Sequence, residues 1–145
     1  MQITVSQIRG AVPITIMHPF GALDASNYQE LVNKAHEIYN AGSRYVIVDL
    51  SDIPYMSSSG IVALHTIALL LHEDLPEART AWDASPALKQ DLNLKRRFKL
   101  VNPPPRVDDL LEMAGFKRFI EVYSSLDAAA AAFADSGDQV PQSRR

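Results

Sequence analysis

The fold is decided by the sequence VIVDLSDIPYMSSSGI at residues 46–61. Its first part, together with Tyr45, is a continuous apolar run of strand length, which is typical of a strand buried on both faces of a sheet. After the serines and the glycine, apolar residues recur at the spacing of one helix face: Ile61, Val62, Leu64, Ile67, Ala68 and Leu71. The stretch therefore predicts a central strand, a loop, and a helix that begins within the serine cluster.

Strand and helix patterns alternate on both sides of this stretch. The N-terminal side predicts strands at Ile3–Gln7 and Val12–Met17, then a helix from Tyr28 to Ile38 with Asp24 or Ser26 as its cap and Gly42 as its end. The C-terminal side predicts a strand at Phe98–Val101, a helix at Val107–Ala114, a strand at Phe119–Val122, and a helix at Leu126–Phe133. This order predicts an α/β fold with a mostly parallel sheet of four to five strands and about four helices.

The chain is predicted to form a single domain. Its 145 residues suffice for one core, which we expect to span residues 1–135. An insertion at residues 72–96 follows the second helix, because Pro76 and Pro86 break the helical pattern around Trp82. Within it, residues 76–86 are expected to be more mobile than the sheet. Residues 136–145 carry no core side chains and are expected to form a disordered tail.

Composition excludes several classes of protein. The net charge of −3 and the short basic run Lys95–Arg97 argue against direct DNA binding. No cysteine is present, so there are neither disulfides nor thiolate metal sites. The N-terminus lacks a signal-peptide pattern, and the apolar stretch Ile61–Leu71 is too short to span a bilayer. We therefore expect a cytoplasmic location.

The serine cluster Ser57-Ser58-Ser59 has two interpretations. Serine is a good helix cap, which accounts for one of the three residues. The first turn of a helix also favours negative charge, so a phosphoserine is tolerated there while it changes the surface potential. The pattern leaves both interpretations open.

The sequence resembles the STAS domain, in its stand-alone form as a bacterial anti-sigma factor antagonist. Met56-Ser57-Ser58-Ser59-Gly60 stands where the family typically carries Met-Asp-Ser-Ser-Gly before an apolar helix. Gly21-Ala22-Leu23-Asp24 is similar to the family's Gly-Glu-Leu-Asp before the first helix. Leu100-Val101-Asn102-Pro103, followed by Val107, Leu110 and Gly115-Phe116, is similar to a later strand and helix of the family.

The resemblance implies a regulatory binding protein that is switched by serine phosphorylation. Its unphosphorylated form would bind an anti-sigma factor that is also a serine kinase, and so free a sigma factor; a serine phosphatase would reverse the modification. By position the phosphorylated residue is Ser58, with Ser57 and Ser59 as alternatives and with Asp24 and Gly60 as site neighbours. Ser57 replaces the usual aspartate, which leaves both the acceptor and the phosphorylation cycle itself open. The insertion at residues 72–96 departs from the family pattern and is a candidate for reshaping the partner surface or for holding a homodimer together.

Other functions fit less well. The resemblance also allows a non-phosphorylated STAS subunit of a sensory or membrane-transport assembly. A serine hydrolase is a remote alternative, because G-x-S-x-G is absent around the serines. His65 and His72 lack a compact set of further ligands, and no glycine-rich phosphate loop is present. We therefore expect no enzymatic activity, no metal and no cofactor.

Overall fold

The computed structural model describes residues 1–74 and 94–133. Within these ranges the chain forms a five-stranded sheet and four α-helices. The strands are β1 (Gln2–Arg9), β2 (Pro13–Phe20), β3 (Val46–Asp49), β4 (Phe98–Val101) and β5 (Glu121–Tyr123). The helices are α1 (Tyr28–Asn40), α2 (Ser58–His72), α3 (Pro105–Met113) and α4 (Leu126–Ala132), and short 3₁₀ turns lie at Leu94–Arg96 and Phe116–Arg118.

The strands lie in the sheet in the order in which they occur along the chain. β1 is antiparallel to β2, and β2 through β5 are parallel to one another. From β2 to β5, each new parallel strand is added on the same side of the one before it. The right-handed crossovers between these strands therefore place α1, α2 and α3 on one face of the sheet. The connections that leave the carboxyl ends of β2, β3 and β4 therefore meet along one edge of the sheet, where α/β proteins commonly place their sites.

Successive side chains of each strand point to opposite faces of the sheet, so the core is divided into two clusters, one on each face. On β3, Val46 and Val48 join the larger cluster with α1, α2 and α3, whereas Ile47 joins a smaller cluster under α4. Phe133, just after α4, is fully buried in this second cluster. A strand covered on both faces must be apolar throughout, which explains the unbroken run at the centre of the sheet.

β4 carries a buried charge on its α4 face. Lys99 is 3% exposed; its Nζ donates to Glu121 Oε1 and to the Lys95 carbonyl, both at 2.7 Å, and lies 4.7 Å from the centre of the Phe133 ring. Burial alone would raise the pKa of Glu121, but the hydrogen bonds from Lys99 and Tyr123 lower it overall. The pair joins β4 to β5 beneath α4.

The sequence predictions of fold class, strand number and helix number are confirmed. The sheet is mixed only because β1 is antiparallel. β2 runs on through Pro19 to Phe20, beyond the predicted end at Met17. The predicted caps of α1 were wrong: Asn27 stands at the N-cap, because the turn built on Asp24 runs to Asn27 before the helix begins at the predicted Tyr28.

The predicted end of α1 is confirmed in detail. Gly42 has φ +109°, and its N–H donates to the Tyr39 carbonyl while the Ser43 N–H donates to the Ile38 carbonyl. These two hydrogen bonds close the last turn of α1. They require a left-handed backbone at residue 42, which glycine adopts at little cost.

The predicted extent of the domain, residues 1–135, stays a prediction. The central part of the insertion, the C-terminal tail and the predicted mobility of residues 76–86 lie outside the described residues. In the described part of the chain no helix combines the length and the apolar character that a membrane span requires.

We predict that Lys99→Ala lowers the free energy of unfolding by about 2–3 kcal/mol, since it leaves the partly buried Glu121 without its cation. Urea denaturation measures the change, and Lys34→Ala is the control: its exposed 3.0 Å pair with Glu37 is worth at most about 0.5 kcal/mol. Because the folded pKa of Glu121 is lowered, the pair stabilises the protein above the ordinary pKa of 4.5 and loses this effect as the pH falls through the folded value. A difference between wild type and Lys99→Ala that stays constant at acid pH would contradict this assignment.

Candidate functional site

The loop after β2 and the loop after β3 are joined by backbone hydrogen bonds. The Leu23 N–H donates to the Tyr55 carbonyl at 2.9 Å, and the Ser57 N–H donates to the Leu23 carbonyl at 3.0 Å. Leu23 and Met56 thereby form an isolated parallel bridge, and both side chains are buried. The bridge places Asp24 and the serine cluster side by side at the same edge of the sheet.

The serine cluster opens helix α2, as the sequence predicts. Ser57 is the N-cap: its backbone is extended, and its hydroxyl accepts the Ser59 N–H at 3.2 Å. Ser58 is the first helical residue and is exposed, whereas Ser57 and Ser59 are half-buried. One serine is therefore used as the cap, and its neighbour presents a hydroxyl to solvent.

Gly60 allows the first turn of α2 to lie directly on the Leu23–Met56 bridge. A Cβ atom at this position would overlap Met56 Cγ and would lie 2.9 Å from Met56 Sδ and 3.2 Å from Leu23 Cδ2. Carbon atoms cannot approach so closely without displacing their neighbours. The sequence marked Gly60 as part of a motif, but only the packing explains why a side chain is excluded.

Asp24 stands beside the serine cluster as an ionised group. Its Oδ1 accepts the Ser26 hydroxyl at 2.6 Å and the Ser26 N–H at 2.9 Å. These hydrogen bonds, that of the hydroxyl first, lower the pKa of Asp24 below its ordinary value of 3.8. Asp24 therefore carries a negative charge at neutral pH.

A histidine that the sequence pattern did not single out connects β2 to the loop before α2. His18 Nε2 lies 2.7 Å from Asp52 Oδ2, and His18 Nδ1 lies 3.7 Å from Asp49 Oδ2. Its ring stacks on Phe20 with 4.4 Å between the ring centres. These residues are far apart in the sequence, and only the parallel pairing of β2 with β3 brings them together.

The outer face of α2 is uncharged near the serines and presents the apolar side chain of Val62 to solvent. Ser58, Val62 and His65 are all exposed, at a spacing that places them on one side of the helix. Val62 is 54% exposed and the nearby loop residue Tyr55 is 47% exposed. The prediction that Val62 faces the core was wrong: Ala63, which the prediction left out, is buried beside the predicted Leu64, and Val62 points to solvent.

His65 adds no charge to this face at neutral pH. Partial burial lowers the pKa of His65 below its ordinary value of 6.5. α2 contains no Asp, Glu, Lys or Arg from Ser58 to His72. We refer below to Tyr55, Ser58, Val62 and His65 as the α2 surface.

The predicted site residues lie together: Asp24, Ser57, Ser58, Ser59 and Gly60 all surround the start of α2. His65 and His72 do not share an environment, since His65 is exposed and His72 is buried with its Nδ1 2.7 Å from the Ala68 oxygen. Among residues 1–74 and 94–133, no three His, Asp or Glu side chains group in a way that could hold a metal ion.

We predict that Gly60→Ala lowers the free energy of unfolding by about 1–3 kcal/mol through overpacking against Met56. The matched control is Gly10→Ala, where a new Cβ would meet its nearest atom, Ile14 Cδ1, at an ordinary 3.5 Å. In a Met56→Ala background the cost of Gly60→Ala should shrink, because Cγ and Sδ are then absent. Equal costs in both backgrounds, measured by denaturant titration, would rule out the proposed clash.

We predict different effects for two neighbouring serines. Ser57→Ala removes the cap and should cost about 1 kcal/mol of stability, whereas Ser57→Asp keeps an accepting oxygen and should largely preserve it. Ser58→Ala changes an exposed side chain and should stay within about 0.5 kcal/mol of wild type. Thermal or urea unfolding decides the matter, and a larger loss for Ser58→Ala than for Ser57→Ala would refute the cap assignment.

Comparison with known proteins gives a family match over the N-terminal part of the chain. Residues 2–73, which include β1 through α2 and the whole serine cluster, match the STAS domain family model. The chain is also similar to the candidate anti-sigma factor antagonist BtrV of Bordetella bronchiseptica. The two are 25% identical over 133 residues, which cover 92% of this chain and 95% of BtrV.

Solved structures share the fold over almost the whole chain. A candidate anti-sigma factor antagonist of Thermotoga maritima superposes with a TM-score of 0.67 at 16% identity, covering 91% of this chain and 94% of that one. SpoIIAA, an anti-sigma factor antagonist and cell fate determinant of Bacillus, gives a TM-score of 0.64 in its unphosphorylated form, at 15% identity and with 92% and 97% coverage. Its phosphorylated form gives 0.56 at 15% identity, with 90% and 98% coverage. The family match and the shared fold agree, and residues 2–73 of the chain belong to a STAS domain.

Proposed function

We propose that this protein is a cytoplasmic anti-sigma factor antagonist whose binding is switched by phosphorylation of Ser58. In the unphosphorylated state it binds an anti-sigma factor that is also a serine kinase, and so frees a sigma factor. A serine phosphatase restores this state. The observation that carries the proposal is the exposed Ser58 hydroxyl at the first position of α2, beside a serine that already serves as the cap.

Electrostatics explain why such a modification would act as a switch. The α2 surface carries no charged side chain at neutral pH, so a partner can exclude water from it without desolvating an ion. A phosphate on Ser58 would add about −1.5 to −2 charges in the middle of this surface. Burial of that charge against a partner without a matching cation is strongly unfavourable. The modified protein would therefore release its partner.

The fold itself would tolerate the phosphate. The N-terminus of a helix carries the positive end of the helix dipole, which favours an anion in the first turn. Ser58 does not supply the capping oxygen, so its modification leaves the bond from Ser59 to Ser57 in place. Phosphorylation would change what the surface binds and leave the core as it is.

Ser57 and Ser59 are weaker acceptors in this geometry. Both are half-buried, and the Ser57 hydroxyl is engaged at the helix start. Ser57 occupies the position where the family commonly has aspartate, and it supplies the same capping oxygen without the negative charge. Asp24, ionised next to this turn, supports an acidic environment by another route.

A second candidate function is a non-phosphorylated STAS subunit of a sensory or membrane-transport assembly. The apolar side chains of the α2 surface support this alternative equally, since they favour a protein partner whether or not a serine is modified. Mass spectrometry after incubation with the cognate kinase and ATP separates the two functions. Phosphate on Ser58 supports the switch, and no phosphate on any serine of the cluster supports the assembly.

We predict that Ser58→Asp weakens binding to the anti-sigma factor at least about tenfold, which corresponds to 1.4 kcal/mol, because a desolvated carboxylate lacks a partner. Ser58→Ala should bind as wild type does and should accept no phosphate. Isothermal titration calorimetry with the purified anti-sigma factor measures both affinities.

Ser125→Asp is the matched control for Ser58→Asp. Ser125 is the N-cap of α4, where its hydroxyl accepts the Ala128 N–H at 3.1 Å, and aspartate caps a helix equally well. The control therefore adds the same charge at another helix start on the opposite face of the sheet. Equal affinities for wild type, Ser58→Asp and Ser125→Asp would contradict the switch.

A further inference from the structure

The outer edge of β1 is an open strand edge. β1 is eight residues long and lies at the end of the sheet, so one side of its backbone pairs with β2. In the part of the chain that the structure describes, no backbone hydrogen bond reaches its other side. Alternate N–H and C=O groups along this side are therefore available to another strand.

This edge lacks the features that normally prevent strands from pairing. Its sequence, QITVSQIR, has neither proline nor lysine, and its single charged side chain is Arg9 at the very end. Ile3, Thr4, Val5 and Ile8 are β-branched residues that favour strands. Val5 is 41% exposed, on the sheet face that also carries the buried Met17, so its apolar surface continues that of the core.

We propose that β1 pairs antiparallel with β1 of a second copy of this chain, around a two-fold axis at Val5. Antiparallel pairing of identical strands about an axis normal to the sheet keeps each residue on its own face, so residues of the same parity meet. In this register Val5 faces Val5 of the second copy, Thr4 faces Ser6, and Ile3 faces Gln7. The sheet continues across the axis with the α1 and α2 layer on the same side in both copies.

The charges fit this register. Antiparallel pairing moves the two Arg9 side chains to opposite ends of the interface, where each faces Met1 of the other copy. The carboxylate of Glu30 lies at that end, bound to the Met1 amino group, and its side chain is 51% exposed. Arg9 therefore arrives next to the ion pair of the Met1 ammonium group and the Glu30 carboxylate, which has no net charge, whereas a parallel arrangement would place the two arginines together.

Val5 provides a direct test, because the two-fold axis places it opposite Val5 of the second copy. Val5→Lys and Val5→Glu each place two like charges face to face and should weaken dimerisation at least about tenfold. An equimolar mixture of the two variants places lysine opposite glutamate and should restore the dimer. Met113→Lys, at an 84% exposed site on α3, is the control that should dimerise as wild type does.

Sedimentation velocity over a concentration series measures the fraction of dimer for the wild type, the two Val5 variants, Met113→Lys and the mixture. Circular dichroism confirms that each protein is folded. A wild-type chain that stays monomeric at every concentration overturns the proposal. A dimer that survives both Val5 variants overturns it too, since the interface then lies elsewhere. A mixture that fails to dimerise while each variant alone is monomeric overturns the Val5-centred register.

Discussion

The start of α2 depends on the close contact between its first turn and the bridge formed by Leu23 and Met56. Gly60 permits this contact, because any side chain there would overlap Met56. The contact fixes the height of the helix above the sheet edge and leaves Ser57 as the cap. Ser58 then follows with its side chain in solvent. The exposure of one hydroxyl is thus a consequence of how tightly the residue two positions later is packed.

The two faces of the sheet have different roles. In the part of the chain that the structure describes, three helices cover the face that supports the site and one helix covers the other face, where Lys99 and Glu121 form a partly buried ion pair beside Phe133. Because the core is closely packed, the segments that pack on it have little room to move, and the serine cluster is held in a fixed position. A fixed position is sufficient for the proposed switch, since a phosphate changes partner binding through its charge and the backbone need not move.

Much of the site could be predicted from sequence, since its residues follow one strand within a short stretch. The central strand, the helix start and the serine cap are local patterns, and each is confirmed. The contacts of His18 with Asp49 and Asp52, and the burial of His72, could not be predicted in this way. They depend on which strands become neighbours and on how each helix rotates against the sheet.

The sequence by itself determined the α/β class, the order of elements and the position of the serine cluster at a helix start. It did so because hydrophobic periodicity and helix capping are local properties. Only the tertiary structure decided that Val62 faces solvent and that Ser58 is the exposed serine. Those outcomes follow from steric fit between segments distant in the chain, above all Leu23, Met56 and Gly60, and no local pattern contains that fit.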